Sequence, residues 1–231
     1  MQIKYSIILP CYNEYGNLKL LIPQILTFLK KKSYEILIID DNSSDNTAER
    51  LKKKLKKNTN INYIVRKKNR SLGLSIKDGI KASKGEIIIV MDSDFNHRPL
   101  DLKKMLRIYE NKNVDMVCGS RFLKGGFSSS FFRHTTSLIF NQFIRIIIDG
   151  TLTDNFSGFF IIKKKLILRK IDTIFYGYGE YYIRMLFFLQ KKKIIIKEVP
   201  VKYGKRKYGA SKSKLIKMLF TYTFYALKLI V

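Results

Sequence analysis

The sequence is poor in several residue types. Its 231 residues include no tryptophan, two cysteines and four prolines, and only 18 Asp and Glu stand against 45 Lys and Arg. Cys11 and Cys118 lie in or beside apolar runs, so we expect reduced core residues of a cytosolic protein rather than a disulfide. The resulting net charge of +27 indicates an anionic partner: a nucleic acid, a membrane surface or a phosphorylated substrate. Part of the charge reflects a general richness in Lys, Ile and Asn.

Long apolar stretches and familiar nucleotide motifs are also lacking. The longest stretch without Asp, Glu, Lys or Arg is His134–Ile144, eleven residues, whereas a membrane-spanning helix needs roughly 18. Met1 leads directly into a strand-like run, so we expect no signal peptide. The absence of G-x-G-x-x-G and Walker A sequences disfavours a dinucleotide enzyme and a P-loop ATPase. A basic nucleic-acid-binding protein stays an alternative, although zinc-finger, RNA-binding and helix-turn-helix signatures are missing.

Apolar runs alternate with amphipathic stretches in the first half of the chain. This alternation predicts an α/β fold built from right-handed βαβ units around a mainly parallel sheet. The predicted strands there are 5–9, 35–39, 61–65, 86–91 and 114–118, and the helices are 17–29, 46–55, 72–82 and 99–109. The second half predicts helices at 130–148 and 212–231 and a mostly helical stretch at 171–189. It also predicts a turn that leads into a strand over 154–162 and a strand at 194–201. We expect one domain, 1–211, followed by a C-terminal helix, 212–231.

Polar clusters follow four of these strands. Ligands of open α/β sheets bind at the carboxyl ends of the strands, so these clusters should lie together. The four clusters are Pro10–Glu14, Asp40–Asp45, Asp92–His97 and Gly119–Arg121.

The most informative cluster contains Asp92 and Asp94, two carboxylates directly after a buried strand. Oxygen ligands of this kind suit Mg²⁺ or Mn²⁺ together with diphosphate oxygens; alone, such a triplet is usually a solvated turn or a helix cap. Asp40 and Asp41 could accept hydrogen bonds from a nucleobase and a ribose. The alternative for them is a helix N-cap, for which Asp45 and Asn46 are better placed.

These motifs together resemble glycosyltransferase family two, and more closely its dolichyl- or polyprenyl-phosphate mannosyltransferase branch. The match covers nearly the whole chain in the expected order. Its segments are Pro10–Glu14, Asp40–Thr47, Gly73–Gly79, Met91–His97, Gly119–Arg121, Asp154–Phe159 and Arg206–Lys212. Many members carry Asp-Gly-Thr where this chain has Asp45-Asn46-Thr47, and Asn also tolerates the left-handed conformation.

The resemblance implies a GT-A (Rossmann-like) fold and a set of site residues. The implied nucleotide-sugar residues are Pro10, Tyr12, Glu14, Ile39, Asp40, Asp41, Asp92, Ser93, Asp94, Arg206 and Lys212. Asp94 and Asn96, with Asp92, would hold the Mg²⁺ or Mn²⁺. Arg121 and Arg206 would contact phosphate or sugar, and Asp94, Arg121, Asp154 and Arg206 form the predicted catalytic set.

The resemblance implies inverting sugar transfer, with GDP-mannose as the expected donor and a polyprenyl (dolichyl) phosphate as the acceptor. A phosphomonoester is already anionic at neutral pH, so such an acceptor needs cations more than a base. Arg133 and Ser137 lie four residues apart on one side of the predicted 130–148 helix, and with Arg121 they could clamp the acceptor phosphate. The alternative for that helix is an ordinary amphipathic surface helix.

Other functions stay open. A family-two enzyme using a UDP-sugar or a hydroxyl acceptor would need a base, for which Asp154 is the candidate. A catalytically inactive membrane scaffold is disfavoured by the intact D-x-D triplet.

The carboxyl end of the chain predicts contact with a membrane surface. Residues 191–217 contain eleven Lys or Arg and one Glu, a charge that anionic lipids attract. The following helix carries a narrow Lys stripe on an apolar surface, as in helices that lie in the interface. We therefore expect a protein bound peripherally to the cytoplasmic face of a membrane. A short span, or packing of the helix on the catalytic domain or on a second copy, are the alternatives.

Overall fold

The structure is a computed structural model that describes residues 2–67, 69–128, 131–209 and 215–230, without the side chains of Arg133 and of residues 215–217. Strands and helices alternate as the sequence predicts. The elements are β1 (Tyr5–Cys11), α1 (Tyr15–Leu29), β2 (Tyr34–Asp40), α2 (Thr47–Lys54), β3 (Ile61–Val65), α3 (Leu72–Ala82), β4 (Ile87–Val90), α4 (Pro99–Asn111), β5 (Met116–Ser120), α5 (Phe131–Ile147), β6 (Phe160–Lys163), α6 (Lys165–Leu168), α7 (Ile171–Ile174), α8 (Glu180–Gln190), β7 (Ile196–Pro200) and α9 (Leu215–Lys228).

Within the described part of the chain, the strands form one seven-stranded sheet in the order β3-β2-β1-β4-β6-β5-β7. β6 runs antiparallel to both of its neighbours, β4 and β5, and every other pairing is parallel. The predicted mainly parallel α/β fold is thereby confirmed. Because β6 is reversed, the turn that precedes it lies at the same edge of the sheet as the carboxyl ends of the parallel strands.

Two apolar layers cover the sheet. One face packs against α1 and α4 through residues such as Leu21 and Leu102, and the other packs against α3 and α8 through Ile76 and Leu186. β1, β2 and β4 are almost wholly buried, which explains their continuous Ile- and Leu-rich sequences.

The second half of the chain differs from the prediction in one segment. The helix expected over 171–189 is interrupted between α7 and α8, at residues 175–179. Gly177 adopts a φ of +71° there, a conformation that glycine reaches without steric cost. The short α6 was not predicted.

The helix α9 packs on the rest of the protein through one of its faces. Tyr222 and Ala226 are buried in a small core that also contains Ile144 of α5 and Ile183 of α8. The opposite side of α9 exposes Phe220, Phe224 and Leu227. One side of α9 therefore packs on the rest of the protein, as one of the alternatives expected. The other side is exposed and could contact a further partner.

Candidate active site

The D-x-D triplet follows β4 and forms a tight loop. Ser93 donates from Oγ to the carbonyl of Pro10 at 2.8 Å, which ties the loop to the end of β1. Asp94 accepts from the backbone N–H and from the side-chain amide of Asn96, each at 3.0 Å. The residue between them, Phe95, has a φ of +70° and anchors the loop because its ring is buried.

Burial and neighbouring charged side chains shift the pKa values of the two carboxylates of the triplet. Burial raises the pKa of Asp92 to about 6, against the opposing effect of Arg206 and with an upward contribution from Glu14. Burial, and then the neighbouring Asp92, also raise the pKa of Asp94. The raised pKa values mean that the charged form of each carboxylate is disfavoured by its surroundings. A bound cation would offset that free-energy cost.

The residues at this loop fit Mg²⁺ or Mn²⁺ by their donor chemistry. Hard divalent cations take oxygen ligands, and Asp92, Asp94 and Asn96 supply them. Among the residues that the structure describes, no three His, Cys, Asp or Glu side chains come together to hold a metal ion. The predicted set has only two carboxylates, so the oxygens of a bound diphosphate would have to complete the coordination.

His97 holds the D-x-D loop in place through hydrogen bonds, a role that the sequence analysis did not assign to it. Its Nδ1 accepts from the backbone N–H of Asp92 at 2.8 Å, and its Nε2 lies 3.0 Å from the carbonyl of Ser157 and 3.2 Å from the hydroxyl of Tyr203. Since Nδ1 is an acceptor, the proton is on Nε2. Burial lowers the pKa of His97 to about 4, so the ring is neutral and holds three segments together.

The basic loop after β7 reaches across the sheet edge. Arg206 pairs with Glu14 at 2.6 Å and with Asp94 at 2.5 Å. The loop is fastened on both sides: Gly204 donates to the carbonyl of Asn96, and Tyr208 exchanges hydrogen bonds with Asn17. The predicted residues Glu14, Asp94 and Arg206 are therefore brought together, and Lys212 lies outside the described residues.

The carboxylates at the end of β2 have internal partners. Asp40 accepts from the backbone N–H groups of Ser43 at 2.8 Å and Ala48 at 2.9 Å. It thus caps α2, the role that the sequence analysis gave to Asp45 and Asn46, and Asn46 makes no side-chain cap bond. Asn46 instead adopts a φ of 55°, the left-handed conformation expected for the residue that replaces glycine in the family motif.

Asp41 lines a cleft at the same edge. It pairs with the buried Arg66 and accepts from the backbone N–H of Ser71 at 2.8 Å. The cleft has a volume of about 90 Å³. Its lining residues are Asp41, Asn42, Arg66, Lys67, Asn69 and Arg70. Both carboxylates already have partners within the protein, so they are less free for a ligand than the capping argument indicated. Their contact with a nucleotide stays a prediction, and Arg66, Lys67 and Arg70 line the cleft as cations.

The remaining residues predicted for the nucleotide lie around this cleft. The guanidinium of Arg70 lies 3.6 Å from the ring centroid of Tyr12, a stacked arrangement that a nucleobase could join or replace. Pro10 and Ile39 are buried within β1 and β2. The side chain of Ile39 packs into the core beneath α3, so it can meet a ligand only through its backbone.

Arg121 and Asp154 form a buried pair at the other side of the triplet. Asp154 Oδ2 accepts from the backbone N–H and from Nε of Arg121 at 3.0 and 2.8 Å, and Oδ1 accepts from Nη2 at 2.8 Å. Oδ1 also accepts from the N–H of Phe156. Burial works against the charged guanidinium, but Asp154 outweighs it and raises the pKa of Arg121. Asp154 is committed to holding Arg121, which disfavours it as a general base.

Glu198 of β7 supports this pair from below. Its carboxylate accepts from the backbone N–H and the hydroxyl of Thr153 and from the N–H of Asp154. Neither Glu198 nor Arg66 was singled out from the sequence. Arg66 directly follows β3, so a search for polar residues at the carboxyl ends of all predicted strands would have identified it.

The predicted phosphate clamp on α5 is only partly visible. Ser137 is half-buried, and the side chain of Arg133 lies outside the described part. His134, beside Arg133, stacks on Phe127 with ring centroids 5.2 Å apart and lies at a tilted angle to Phe122, 5.3 Å away. The first turn of α5 is therefore packed on the loop that follows Arg121, and the phosphate clamp stays a prediction.

Comparisons with known proteins identify the family of this chain. Residues 6–169 match the family described as "Glycosyl transferase family 2". A dolichol-phosphate mannosyltransferase of Pyrococcus furiosus is 32% identical over 216 residues, 92% of this chain and 60% of the relative. A dolichyl-phosphate beta-glucosyltransferase of Dictyostelium discoideum is 29% identical over 217 residues, 87% of this chain and 66% of the relative. The chain thus spans about two thirds or less of these relatives.

A solved structure with the same fold is glucosyl-3-phosphoglycerate synthase of Mycobacterium tuberculosis in complex with Mn²⁺, UDP and phosphoglyceric acid. It superposes with a TM-score of 0.69 at 18% identity, covering 99% of this chain and 77% of that one. The GT-A fold and the resemblance predicted from the motifs are confirmed.

Proposed function

The chain belongs to glycosyl transferase family 2, and on that premise we propose that it transfers a sugar from a nucleotide-sugar donor to the phosphate of a polyprenyl phosphate. The observation that carries the acceptor assignment is the buried Arg121–Asp154 pair. A hydroxyl acceptor needs a carboxylate to remove its proton, and the predicted one is fully engaged. A phosphate acceptor needs an oriented cation, which this pair provides.

The donor would occupy the edge between Asp41 and Arg206. The cationic cleft beside Tyr12 would take the nucleobase, and Arg206 would turn from Asp94 and Glu14 toward the diphosphate. A Mg²⁺ or Mn²⁺ ion bound by Asp94 and Asn96, with Asp92, would stabilise negative charge on the leaving nucleoside diphosphate.

The acceptor phosphate would lie against Arg121, with Arg133 and Ser137 of α5 as further donors. Its second pKa is about 6, so it is already nucleophilic at neutral pH. Arg121 is held by Asp154, whose backbone N–H is in turn bonded to Glu198, so it can orient the phosphate without reorganising. Direct displacement by a phosphate oxygen would invert the anomeric centre.

For the sugar we propose mannose from GDP-mannose, supported by the name of the Pyrococcus furiosus relative. A UDP-sugar is the second candidate, because the Dictyostelium discoideum relative is named a glucosyltransferase and the Mycobacterium tuberculosis structure contains UDP.

We also propose that the protein acts peripherally at the cytoplasmic face of a membrane. In the described part of the chain, no helix has the length and apolar character needed to cross a bilayer. The outer side of α9 exposes Phe220 by 75% and Phe224 by 62%, and α5 exposes Phe131, Phe132 and Ile146 beside it. Apolar side chains next to a Lys-rich segment suit an anionic lipid surface.

A transfer assay tests the assignment. Purified protein is incubated with polyprenyl phosphate, Mn²⁺ and, in separate reactions, GDP-mannose, UDP-glucose and other nucleotide sugars. The proposal expects a glycosyl phospholipid with inverted anomeric configuration from one donor. Transfer only to hydroxyl acceptors would favour the alternative enzyme, and salt-sensitive DNA binding without turnover would favour the nucleic-acid one.

A further inference from the structure

The turn at residues 175–179, which interrupts the helix expected from the sequence, lies between the donor cleft and α9. On the donor side, the carbonyl of Gly177 accepts from the hydroxyl of Ser71 and from the N–H of Gly73 at 3.0 Å. The approach is so close that a Cβ on Gly73 would lie 2.5 Å from the carbonyl oxygen of Tyr176. The turn and the start of α3 therefore move together.

Ser71 joins this turn to the donor cleft. Its backbone N–H donates to Asp41 at 2.8 Å, while its hydroxyl is bonded to Gly177. Asp41 in turn holds Arg66, and Arg66 also donates to the hydroxyl of Ser75 on α3. A displacement of the turn would thus be felt at the carboxylate and the guanidinium that line the cleft.

On its other side the turn is held by Arg184 of α8. Arg184 is only 2% exposed and donates to the carbonyls of Ile174 and Tyr176. Among the ion pairs of the described residues none includes Arg184, and its Nη1 has no hydrogen-bond partner. A buried guanidinium outside an ion pair is costly; the charge of the buried Glu180, one turn earlier on α8, offsets part of that cost, and other surroundings must compensate for the rest.

Aromatic rings provide that compensation, and one of them comes from α9. The guanidinium lies 3.6 Å from the ring centroid of Tyr176 and 4.9 Å from that of Tyr225, and the two rings meet edge to face at 5.8 Å. Cation–π contacts are strongest where, as here, the cation is desolvated. Tyr222, three residues before Tyr225 on α9, also packs against the 175–179 segment. A Cβ on Gly179 would lie 1.8 Å from the Tyr222 hydroxyl oxygen.

We propose that α9 is a positioning element for the donor site: Tyr225 and Arg184 hold the 175–179 turn against Ser71, and so set the affinity for the nucleotide sugar. The inference rests on the proposed function, because it takes the Asp41 cleft as the donor site. It also links the membrane-facing helix to the donor, since the same helix presents Phe220 and Phe224 on its outer side.

Affinity for the donor in single variants tests the inference. Tyr225→Ala removes the ring over Arg184, and Tyr225→Phe keeps it. Leu100→Ala is the control, because it removes an exposed apolar side chain from α4, outside the donor site and α9. Binding of GDP and UDP with Mn²⁺ is measured by calorimetry in detergent, together with KM for donor and acceptor.

Tyr225→Ala should weaken nucleotide binding at least about fivefold, the lower end of coupling between sites, with the acceptor KM unchanged. Tyr225→Phe and Leu100→Ala should bind as wild type does. Hydrogen exchange should accelerate in peptides covering 71–75 and 175–179 in Tyr225→Ala only.

Equal nucleotide affinity in Tyr225→Ala and wild type would overturn the inference and leave the proposed function standing. An equal rise in the KM of donor and acceptor would also overturn it, since that indicates a general loss of structure. If the wild type bound no nucleotide, the result would contradict the proposed function and, with it, the inference that rests on it.

Discussion

Arg206 Nη2 lies 2.5 Å from Asp94 Oδ2, so the basic loop and the D-x-D triplet share one carboxylate oxygen. A divalent cation held by Asp94 would compete for that oxygen. A cation bound through that oxygen would therefore weaken the ion pair between Arg206 and Asp94.

Replacing Arg206 by Ala should have opposite effects on metal and donor. Without nucleotide, Arg206→Ala should bind Mn²⁺ more tightly than wild type, because the competing guanidinium is gone. With nucleotide sugar present, binding should weaken, because a cation beside the diphosphate is lost. Calorimetric titration measures both. Lys205→Ala, an exposed cation of the same loop, should change neither. Weaker Mn²⁺ binding in both conditions would contradict the competition.

Loss of the Asp94 carboxylate should abolish turnover and leave the fold intact, since the residue follows β4 and lies outside the sheet core. Asp94→Ala is compared with Asp172→Ala, whose carboxylate is exposed on α7. Activity and circular dichroism are the measurements. Chelator should silence the wild type, and Mg²⁺ or Mn²⁺ should restore it. Full turnover in chelator would rule out the metal.

Asp154→Asn separates a positioning role from a general base. The amide cannot hold Arg121 through two charged oxygens, so the acceptor KM should rise and the protein should lose about 3–5 kcal/mol of stability, as for other broken buried pairs. Steady-state kinetics and thermal unfolding test this. Asp149→Asn, at an exposed position, is the control. A fall in kcat with unchanged acceptor KM would instead support a base.

Arg133→Ala tests the phosphate clamp on α5. We expect a higher acceptor KM or a lower kcat, with donor binding unchanged, because a charge-assisted hydrogen bond to the phosphate is lost. Arg107→Ala, on the exposed side of α4, should behave as wild type. If acceptor dependence is the same in both variants, α5 is an ordinary surface helix at this position.

Membrane docking is best tested on the outer side of α9. Deletion of 213–231 would also uncover the core around Ile144 and Ile183 and, by the inference above, weaken donor binding. The double variant Phe220→Ser and Phe224→Ser spares that core. Each Phe contributes about 1.5–3 kcal/mol on burial, so cosedimentation with anionic liposomes should fall at least about tenfold. Leu100→Ser, equally exposed on α4, should still pellet.

The sequence predicted most elements because their signals are local. β3 and α3 have the predicted bounds, and the continuous apolar runs of β1, β2 and β4 read as buried parallel strands. The reversed direction of β6 and the interruption at Gly177 depend on how distant segments pack. A 3.6-residue periodicity continues through the interruption and therefore hides it.

The sequence predicted which residues at the strand ends belong to the site, but not which partners these residues contact. Asp94, Glu14 and Arg206 meet as expected from their motifs. The partners of Asp40 and Asp154 were not foreseen, because a carboxylate's hydrogen bonds are decided by which backbone N–H groups and guanidinium the fold brings to it. Tyr225 lies far along the chain from Arg184, and no local pattern joins them.

The place of β6 between β4 and β5 also decides when the sheet can be finished during synthesis. β4 pairs with β1, which is already made, whereas β5 pairs with β6 and β7, both of which follow it in the chain. All five residues of β5 are buried in the finished protein. Until Phe160–Lys163 leave the ribosome, β5 is an unpaired apolar strand of the kind that associates wrongly. Chains released before that point should aggregate even though their first four strands can pair.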